Sequence, residues 1–195
     1  MTLAQTYLPA RSLPVQAALI LVGSVLIAAS ARVEVPMYPV PMTLQTLMIS
    51  LVGLTYGSRL AALTVLAYLA QGAAGLPVFS GGNAGLGWLL AGPTAGFLWG
   101  FVAMAWATGW LAERTGARSL AALFAVTVVP AFGLFVFGAG WPLLAGQIGL
   151  AAPWTQMTAT AIWAAFVAPF LLGTLVKSAV AALIVTGAWK AAPRR

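Results

Sequence analysis

The stretch Gln71–Gly92, QGAAGLPVFSGGNAGLGWLLAG, lies between two long apolar runs and carries no charge. Glycine in a regular helix costs about 1 kcal/mol relative to alanine, so this glycine density predicts tight turns and close backbone approach. One amide, Asn83, and two large aromatic residues, Phe79 and Trp88, stand in this frame and suit a small amphiphilic ligand. We therefore predict a binding loop at a membrane surface. An ordinary turn between membrane helices is the alternative.

The composition around this stretch is typical of an integral membrane protein. The chain has 195 residues, is 62% hydrophobic and is only 6% charged, against about 25% charged residues in soluble domains. It has no cysteine, histidine or aspartate, and Glu34 and Glu113 are its only acidic residues. These absences exclude thiol chemistry, Ser-His-Asp triads and paired-carboxylate hydrolysis within one chain. We expect no catalytic residue, no metal site, no cofactor and no P-loop for nucleotide.

Apolar segments alternate with polar or glycine- and proline-rich connections along the chain. With a rise of about 1.5 Å per residue and a hydrocarbon core of about 30 Å, they predict one all-α transmembrane domain of six spans. The predicted spans cover residues 15–31, 42–56, 60–71, 93–111, 119–137 and 160–189. Pro130 is expected to kink the fifth span. Gly138–Thr158 is predicted to be an aromatic-rich interfacial connection with ordered structure on the outer face.

The first apolar segment allows two further interpretations. Arg11, the apolar run and Ala29-Ser30-Ala31 imitate a signal peptide with its cleavage site, so removal is an alternative to a first span. Small residues on one helical face form a candidate docking surface for a partner helix, with packing inside the chain as the equal alternative. These residues are Ala17, Ser24, Ala28 and Ala31.

The basic residues predict the orientation in the membrane. Six spans place both termini on one side, together with most of the basic residues: Arg11, Arg59, Arg114, Arg118, Lys190, Arg194 and Arg195. Arg32 alone falls on the other side. By the positive-inside rule both termini are cytoplasmic. Despite the net charge of +7, the basic residues form no stripe with aromatic residues, so we expect no nucleic-acid partner.

Polar residues cluster where the first two spans connect. Arg32–Pro41, RVEVPMYPVP, contains three prolines and is expected to be extended or turned outside the core. Thr43, Gln45 and Thr46 follow at the start of the second span. Because polar side chains facing lipid are costly, we expect these three to face protein or a cavity.

Lys177 is the one charged residue inside a predicted span. About 20 Å of helical rise separates it from Lys190, which places it in the outer half of the membrane. A lysine there costs about 2.5 kcal/mol or more, so it is expected to face a cavity or partner, with outward snorkelling as the alternative. Of the two acids only Glu34 is on its side, which favours an anionic ligand as the counter-charge. The residues predicted to share its helical face are Trp163, Phe166, Phe170 and Thr174.

Four stretches together resemble the BioY family, the biotin-binding S components of energy-coupling factor (ECF) transporters. They are VPMTLQTL at Val40–Leu47, YLAQGAAGLPVFSGG at Tyr68–Gly82, GPTAGFLWGF at Gly92–Phe101 and PFLLGTLVKSAVAAL at Pro169–Leu183. The resemblance implies a six-helix S component in the bacterial cytoplasmic membrane. It implies that this component captures biotin and works with ECF ATPase subunits and a transmembrane coupling protein. One position departs from the family pattern Gly-Asp-Leu-Ile-Lys, because Thr174 stands in place of the aspartate.

Biotin also suits the candidate residues chemically. Its carboxylate matches Lys177, its ureido group matches an amide such as Asn83 or Gln45, and its thioether ring matches aromatic side chains. The predicted biotin-binding residues are Lys177, Asn83, Gln45, Thr174, Thr43, Tyr38, Phe79, Gly82, Trp88 and Phe170. Three alternatives stay open: an uptake protein for another small anionic vitamin, a membrane-embedded enzyme, and a non-catalytic structural subunit.

Overall fold

The computed structural model describes residues 12–191, which are mostly helical. The helices are α1 (Leu13–Ser30), α2 (Gln45–Tyr56), α3 (Ser58–Ala73), α4 (Leu86–Ala91), α5 (Ala95–Thr115), α6 (Leu120–Gln147), α7 (Ala159–Ile162) and α8 (Leu171–Ala191). Short 3-10 turns cover Ser80–Gly82 and Pro153–Gln156. A π turn, Trp163–Val167, and a 3-10 turn, Ala168–Phe170, join α7 to α8.

Four helical segments of the described chain are long and apolar enough to cross a membrane. They are Leu13–Ser30, Ala95–Thr115, Leu120–Gln147 and the run Ala159–Ala191. The helices α2 and α3 have 12 and 16 residues, and 12 residues span only about 18 Å of a core about 30 Å thick. The chain is therefore a multi-pass membrane protein, while the count of six spans stays a prediction.

The proline-rich segment forms a two-stranded hairpin in place of a purely irregular connection. Strands β1 (Glu34–Val35) and β2 (Met42–Thr43) pair antiparallel, with Glu34 opposite Thr43 and Val35 opposite Met42. The second span, predicted to begin at residue 42, is corrected by this pairing, because Met42 and Thr43 belong to β2 and the helix begins at Gln45.

Several other helix bounds differ from the prediction, and the end of α5 lies at Thr115 instead of residue 111. The glycine-rich stretch is partly helical, since α3 continues to Ala73 and α4 lies within the stretch. The helix α6 continues ten residues beyond the predicted end at residue 137, so the first part of the predicted connection Gly138–Thr158 is helical.

Close packing between α5 and α6 accounts for the continuation of α6 beyond residue 137. A Cβ at Gly138 would lie 2.2 Å from the ring of Phe97, and one at Gly96 would lie 2.3 Å from the carbonyl oxygen of Phe137. Small residues let helix backbones approach closely in apolar surroundings. Glycine here marks a helix contact and does not end the helix.

Two contacts fasten the hairpin segment to the glycine-rich stretch. The guanidinium of Arg32 donates to the carbonyl of Pro77. The amide N–H of Gly81 donates to the Glu34 carboxylate at 3.1 Å. Gly81 has a φ of 66°, in the left-handed region that glycine adopts readily. We call Arg32–Thr43 and Pro77–Asn83, held together in this way, the loop pair.

The far end of the helices is held by the other acidic residue. The backbone N–H and hydroxyl of Ser58 donate to the two carboxylate oxygens of Glu113, at 3.1 and 2.7 Å. The first amides of a helix have no partner within the helix, so this carboxylate satisfies one of them at the start of α3. Leu54, Leu123 and Val185 belong to a small apolar cluster that is separate from the main core.

The predicted docking face of α1 is largely covered by the fold itself. Ser24 and Ala31 are fully buried, Ala28 is half-buried, and Ala17 is exposed. The amide of Gln71 on α3 donates to the Ser24 hydroxyl at 2.9 Å. Packing within the chain therefore accounts for Ser24 and Ala31, and Ala17 remains open to a partner.

Candidate functional site

A cavity lies where the loop pair meets α2, α5, α6 and α8. The residues that line it are Val40, Pro41, Thr43, Gln45, Thr46, Ser80, Thr94, Phe97, Leu98, Phe101, Leu134, Phe135, Phe170, Thr174 and Lys177. The cavity has a volume of about 50 Å³. One water molecule requires about 10–15 Å³, so the cavity is several times larger than that. The wall combines aromatic rings, hydroxyls, one amide and one ammonium group.

Lys177 supplies the only charge among the described lining residues. Its Nζ donates to the main-chain carbonyl of Thr43 at 3.0 Å. Both carboxylates of the sequence bond elsewhere, Glu34 to Gly81 and Glu113 to Ser58. An ammonium group has three N–H donors, so Lys177 keeps the capacity to bind an anionic group in this apolar site.

A chain of hydrogen bonds positions the amide of Gln45. The Thr43 hydroxyl donates to Gln45 Oε1 at 3.1 Å, and Gln45 Nε2 donates to the Tyr68 hydroxyl at 2.7 Å. Tyr68 in turn donates to the carbonyl of Val78 at 3.3 Å. Since buried polar networks hold their members in one arrangement, β2, α2, α3 and the glycine-rich stretch jointly fix this amide at the cavity.

Hydroxyl groups provide further hydrogen-bonding capacity. Thr174 is only 5% exposed and lies one helical turn before Lys177. The Oγ1 of Thr46 is buried without a hydrogen-bond partner among the described residues. An unsatisfied buried hydroxyl costs about 1–3 kcal/mol. Such a group gains a partner when a polar ligand enters and the side chain turns toward it.

Aromatic rings form the apolar wall. The ring centroids of Phe97 and Phe170 are 6.1 Å apart, and Phe97 also stacks on Phe166 at 6.4 Å. These separations fall within the range of favourable aromatic pairs. Trp163 does not join them and is 55% exposed, because the π and 3-10 turns before α8 shift the regular helical spacing on which the prediction of one shared face rested.

The cavity brings together half of the residues predicted to bind biotin. Five of them line it, and they come from two stretches that lie far apart in the sequence. These residues are Thr43, Gln45, Phe170, Thr174 and Lys177. Thr43 comes from the hairpin and Gln45 from the start of α2. Phe170 lies just before α8, and Thr174 and Lys177 lie within it.

The other five predicted residues lie outside the lining. Tyr38 is 77% exposed, and Phe79 is fully buried against Tyr68, with ring centroids 5.6 Å apart. Asn83 donates to the carbonyl of Ser80 at 2.7 Å, and Trp88 donates to the hydroxyl of Thr94 at 3.1 Å. These two side chains therefore support residues that reach the cavity. Gly82 lies beside the guanidinium of Arg32.

Several lining residues were not among the predicted ones. Thr94 begins an apolar segment, as Thr43 does, so its position carried the same signal. Ser80 lies inside the glycine-rich stretch. Phe97 and Phe101 are four residues apart on α5, a spacing that places them on one helical face. Nothing in their local sequence separates a cavity wall from a lipid-facing surface.

The comparisons with known proteins agree on one family. The BioY family model matches residues 4–194. The biotin transporter BioY of Rhodobacter capsulatus is 40% identical over 157 residues, which cover 75% of this chain and 77% of that protein. The biotin transporter BioY of Rhizobium etli is 35% identical over 157 residues, covering 75% and 76%. A crystal structure of the S-component for biotin from an ECF-type ABC transporter has the same fold, with a TM-score of 0.74 and 21% identity over 93% of this chain and 95% of that one.

Proposed function

The chain belongs to the BioY family, and from this we infer that it captures biotin for uptake as the substrate-binding subunit of an ECF transporter. It is a binding protein of a transport system and not an enzyme. The observation that carries the ligand assignment is the cavity whose single cation, Lys177, has no carboxylate partner among residues 12–191.

We propose how biotin is divided over the cavity. The Lys177 ammonium takes the carboxylate, and the Gln45 amide with the hydroxyls of Thr43 and Thr174 serves the ureido group. The thioether ring and the hydrocarbon chain pack on Phe170 and its aromatic neighbours. Charge, donor and acceptor types and apolar surface all match this arrangement. The other five predicted residues then contribute to biotin binding indirectly. They support the loop pair, or they contact the ligand after the loops rearrange around it. These residues are Tyr38, Phe79, Gly82, Asn83 and Trp88.

The finer features of the transporter are part of the same proposal. A single domain of six spans in the bacterial cytoplasmic membrane, with both termini cytoplasmic, is supported by the distribution of basic residues. ATPase subunits and a transmembrane coupling protein would supply the energy, since the sequence has no P-loop. Purified protein alone is then expected to bind biotin without hydrolysing ATP.

A pair of matched substitutions tests the anion site. Lys177→Met removes the charge in the cavity, whereas Lys190→Met makes the same change in the last turn of the same helix. Loss of a charged hydrogen-bond partner should weaken biotin binding by about tenfold or more. Titration calorimetry on detergent-purified protein should show this loss for Lys177→Met only. With biotin amide, which lacks the negative charge, Lys177→Met and wild type should bind about equally.

Two results would contradict the proposal at different levels. A Lys177→Met protein that keeps the full preference for biotin over its amide would remove Lys177 from the anion site, with Arg32 as the next candidate. Wild-type protein that binds no biotin would contradict the ligand itself. Titration with other small anionic vitamins would then separate an uptake protein of different specificity from a structural subunit that binds none of them.

A further inference from the structure

A groove runs along the outside of the helix bundle between α3 and α5, and we call it the α3–α5 groove. It shares no lining residue with the cavity that contains Lys177. Leu66, Trp99 and Trp106 form its exposed walls. The complete lining is Ala62, Leu66, Trp99, Val102, Ala103 and Trp106. Two alanines and large rings therefore make a shallow apolar channel on a surface that faces the membrane.

The tryptophan wall of this groove continues along α5 and ends at a cation. The rings of Trp106 and Trp110 stack with their centroids 5.9 Å apart and their planes 15° apart. The guanidinium of Arg114 lies over the Trp110 ring, 5.4 Å from its centroid. Arg114 is 15 residues beyond Trp99 on the same helix, which corresponds to about 22 Å of helical rise. The wall thus has an apolar length and one positively charged end.

A second cation stands at the same end, on the other helix of the groove. Arg59 lies in the first turn of α3, three residues before Ala62, a spacing that places the two side chains on one helical face. A Cβ at Gly109 would lie 2.4 Å from the backbone nitrogen of Ser58, so the start of α3 contacts the last part of α5. Arg59 and Arg114 are both exposed. The two guanidinium groups therefore flank one end of the groove.

The charge of these two arginines is not compensated by a carboxylate among residues 12–191. The two carboxylate oxygens of Glu113 accept from Ser58, and the carboxylate of Glu34 accepts from Gly81. The sequence has no third acidic residue, so a second copy of this chain offers no free acidic side chain either. The complementary partner is therefore an anion of another kind, and the apolar channel fits one that carries hydrocarbon.

We propose that the α3–α5 groove binds an anionic phospholipid. One acyl chain lies along the tryptophan wall, and the phosphate lies between Arg59 and Arg114. A guanidinium group presents paired N–H donors that match phosphate oxygens, and basic pockets between membrane helices bind anionic headgroups. A zwitterionic phospholipid brings its own ammonium group, so the groove prefers a lipid with a net negative charge. This site is independent of the ligand that the cavity takes.

Native mass spectrometry of the purified full-length protein tests the headgroup preference. The protein is mixed with equal amounts of phosphatidylglycerol and phosphatidylcholine that have identical acyl chains. Each guanidinium should contribute about fivefold, so wild type should favour phosphatidylglycerol by about 25-fold. The double variant Arg59→Gln, Arg114→Gln should bind the two lipids within about threefold of each other.

Arg118→Gln is the matched control for the charge. Arg118 is also exposed, and its guanidinium also lies over a tryptophan ring, that of Trp189, 4.5 Å from the centroid. Neither Arg118 nor Trp189 lines the groove. This variant should keep the wild-type preference for phosphatidylglycerol.

A second pair of variants tests the apolar part of the groove. Ala103→Phe fills the channel and should displace about two methylene groups of the acyl chain, which weakens phosphatidylglycerol binding by about tenfold. Ala125→Phe makes the same change at an exposed position of α6 and should leave binding unchanged. Thermal unfolding in detergent verifies that every variant is folded.

Three results would overturn the proposed lipid site. The first is wild-type protein that binds the two lipids equally, and the second is a double arginine variant that keeps the preference. The third is an Ala103→Phe protein that retains its lipid affinity but loses a dimer seen for wild type in the same spectra, which would assign the groove to a second copy of the chain.

Discussion

The side-chain amide of Gln45 depends on residues from two other parts of the chain. It is 3% exposed and is bonded to Thr43 on one side and to Tyr68 on the other. An amide group has both donors and an acceptor, so it turns freely unless both sides are held. The Tyr68 hydroxyl therefore matters to the site although Tyr68 itself does not line the cavity.

Removing that hydroxyl should destabilise the protein and loosen the site. Tyr68→Phe leaves the Gln45 donor without its partner, which should lower the free energy of unfolding by about 1–3 kcal/mol. Thermal unfolding in detergent, followed by tryptophan fluorescence, measures the effect. Tyr38→Phe makes the same change at a side chain that is 77% exposed and should leave the midpoint unchanged. Equal midpoints for the two variants would remove the hydroxyl from the supporting network.

Gly72 is a second residue whose role is steric. A Cβ at this position would lie 2.1 Å from the ring of Phe79, which is fully buried. Gly72→Ala should therefore lower the unfolding midpoint and disturb the glycine-rich stretch, since overpacking typically costs about 1–3 kcal/mol. Gly87→Ala on α4 is the control, because nothing lies within 4 Å of its added Cβ. Similar midpoints for both variants would contradict the tight contact with Phe79.

At the scale of the elements, the loop pair is held by few bonds, and these are exposed. Glu34→Ala removes the acceptor of the Gly81 amide, so the hairpin and the glycine-rich stretch should separate more often. We expect faster hydrogen exchange across Pro77–Asn83 and faster biotin dissociation. Val35→Ala, on the same strand with an exposed side chain, should change neither rate. Exchange that is unaltered in Glu34→Ala would mean that this contact does not hold the loops.

Helix ends were the elements that sequence patterns predicted least well. The prediction ends the fifth span at residue 137, where the aromatic-rich connection Gly138–Thr158 is expected to begin. In apolar surroundings a helix continues through glycine and proline residues such as Gly138 and Pro142, because no water replaces its backbone hydrogen bonds. The glycine at 138 is required by the ring of Phe97 on α5, a contact that local sequence does not reveal.

The cavity divides in the same way into a predictable and an unpredictable part. Its polar side stood out because Lys177, Gln45 and Thr43 are unusual within apolar segments, where each is costly unless it faces a cavity. The aromatic side did not, because lipid and cavity walls favour the same residue types. Phe135 lines the cavity while Phe137, two residues further on, is 46% exposed.

At the scale of the whole molecule, orientation in the membrane is the main untested prediction. We expect an impermeant thiol reagent added to intact cells to label Leu86→Cys, an exposed position in the glycine-rich stretch. Thr115→Cys, exposed at the end of α5, should react only after the membrane is opened. The cysteine-free sequence makes both labels specific. The reverse pattern would invert the topology.

The two hydrogen-bonded carboxylates have a consequence for how uptake can be driven. Proton-coupled carriers commonly use acidic side chains that gain a proton on one side of the membrane and lose it on the other. Here Glu34 holds the loop pair and Glu113 holds the start of α3, and the sequence has no third acid. Protonating either one would weaken a structural contact without moving charge through the cavity. We therefore expect that a pH gradient does not drive uptake through an acidic side chain of this protein, because neither Glu34 nor Glu113 lines the cavity.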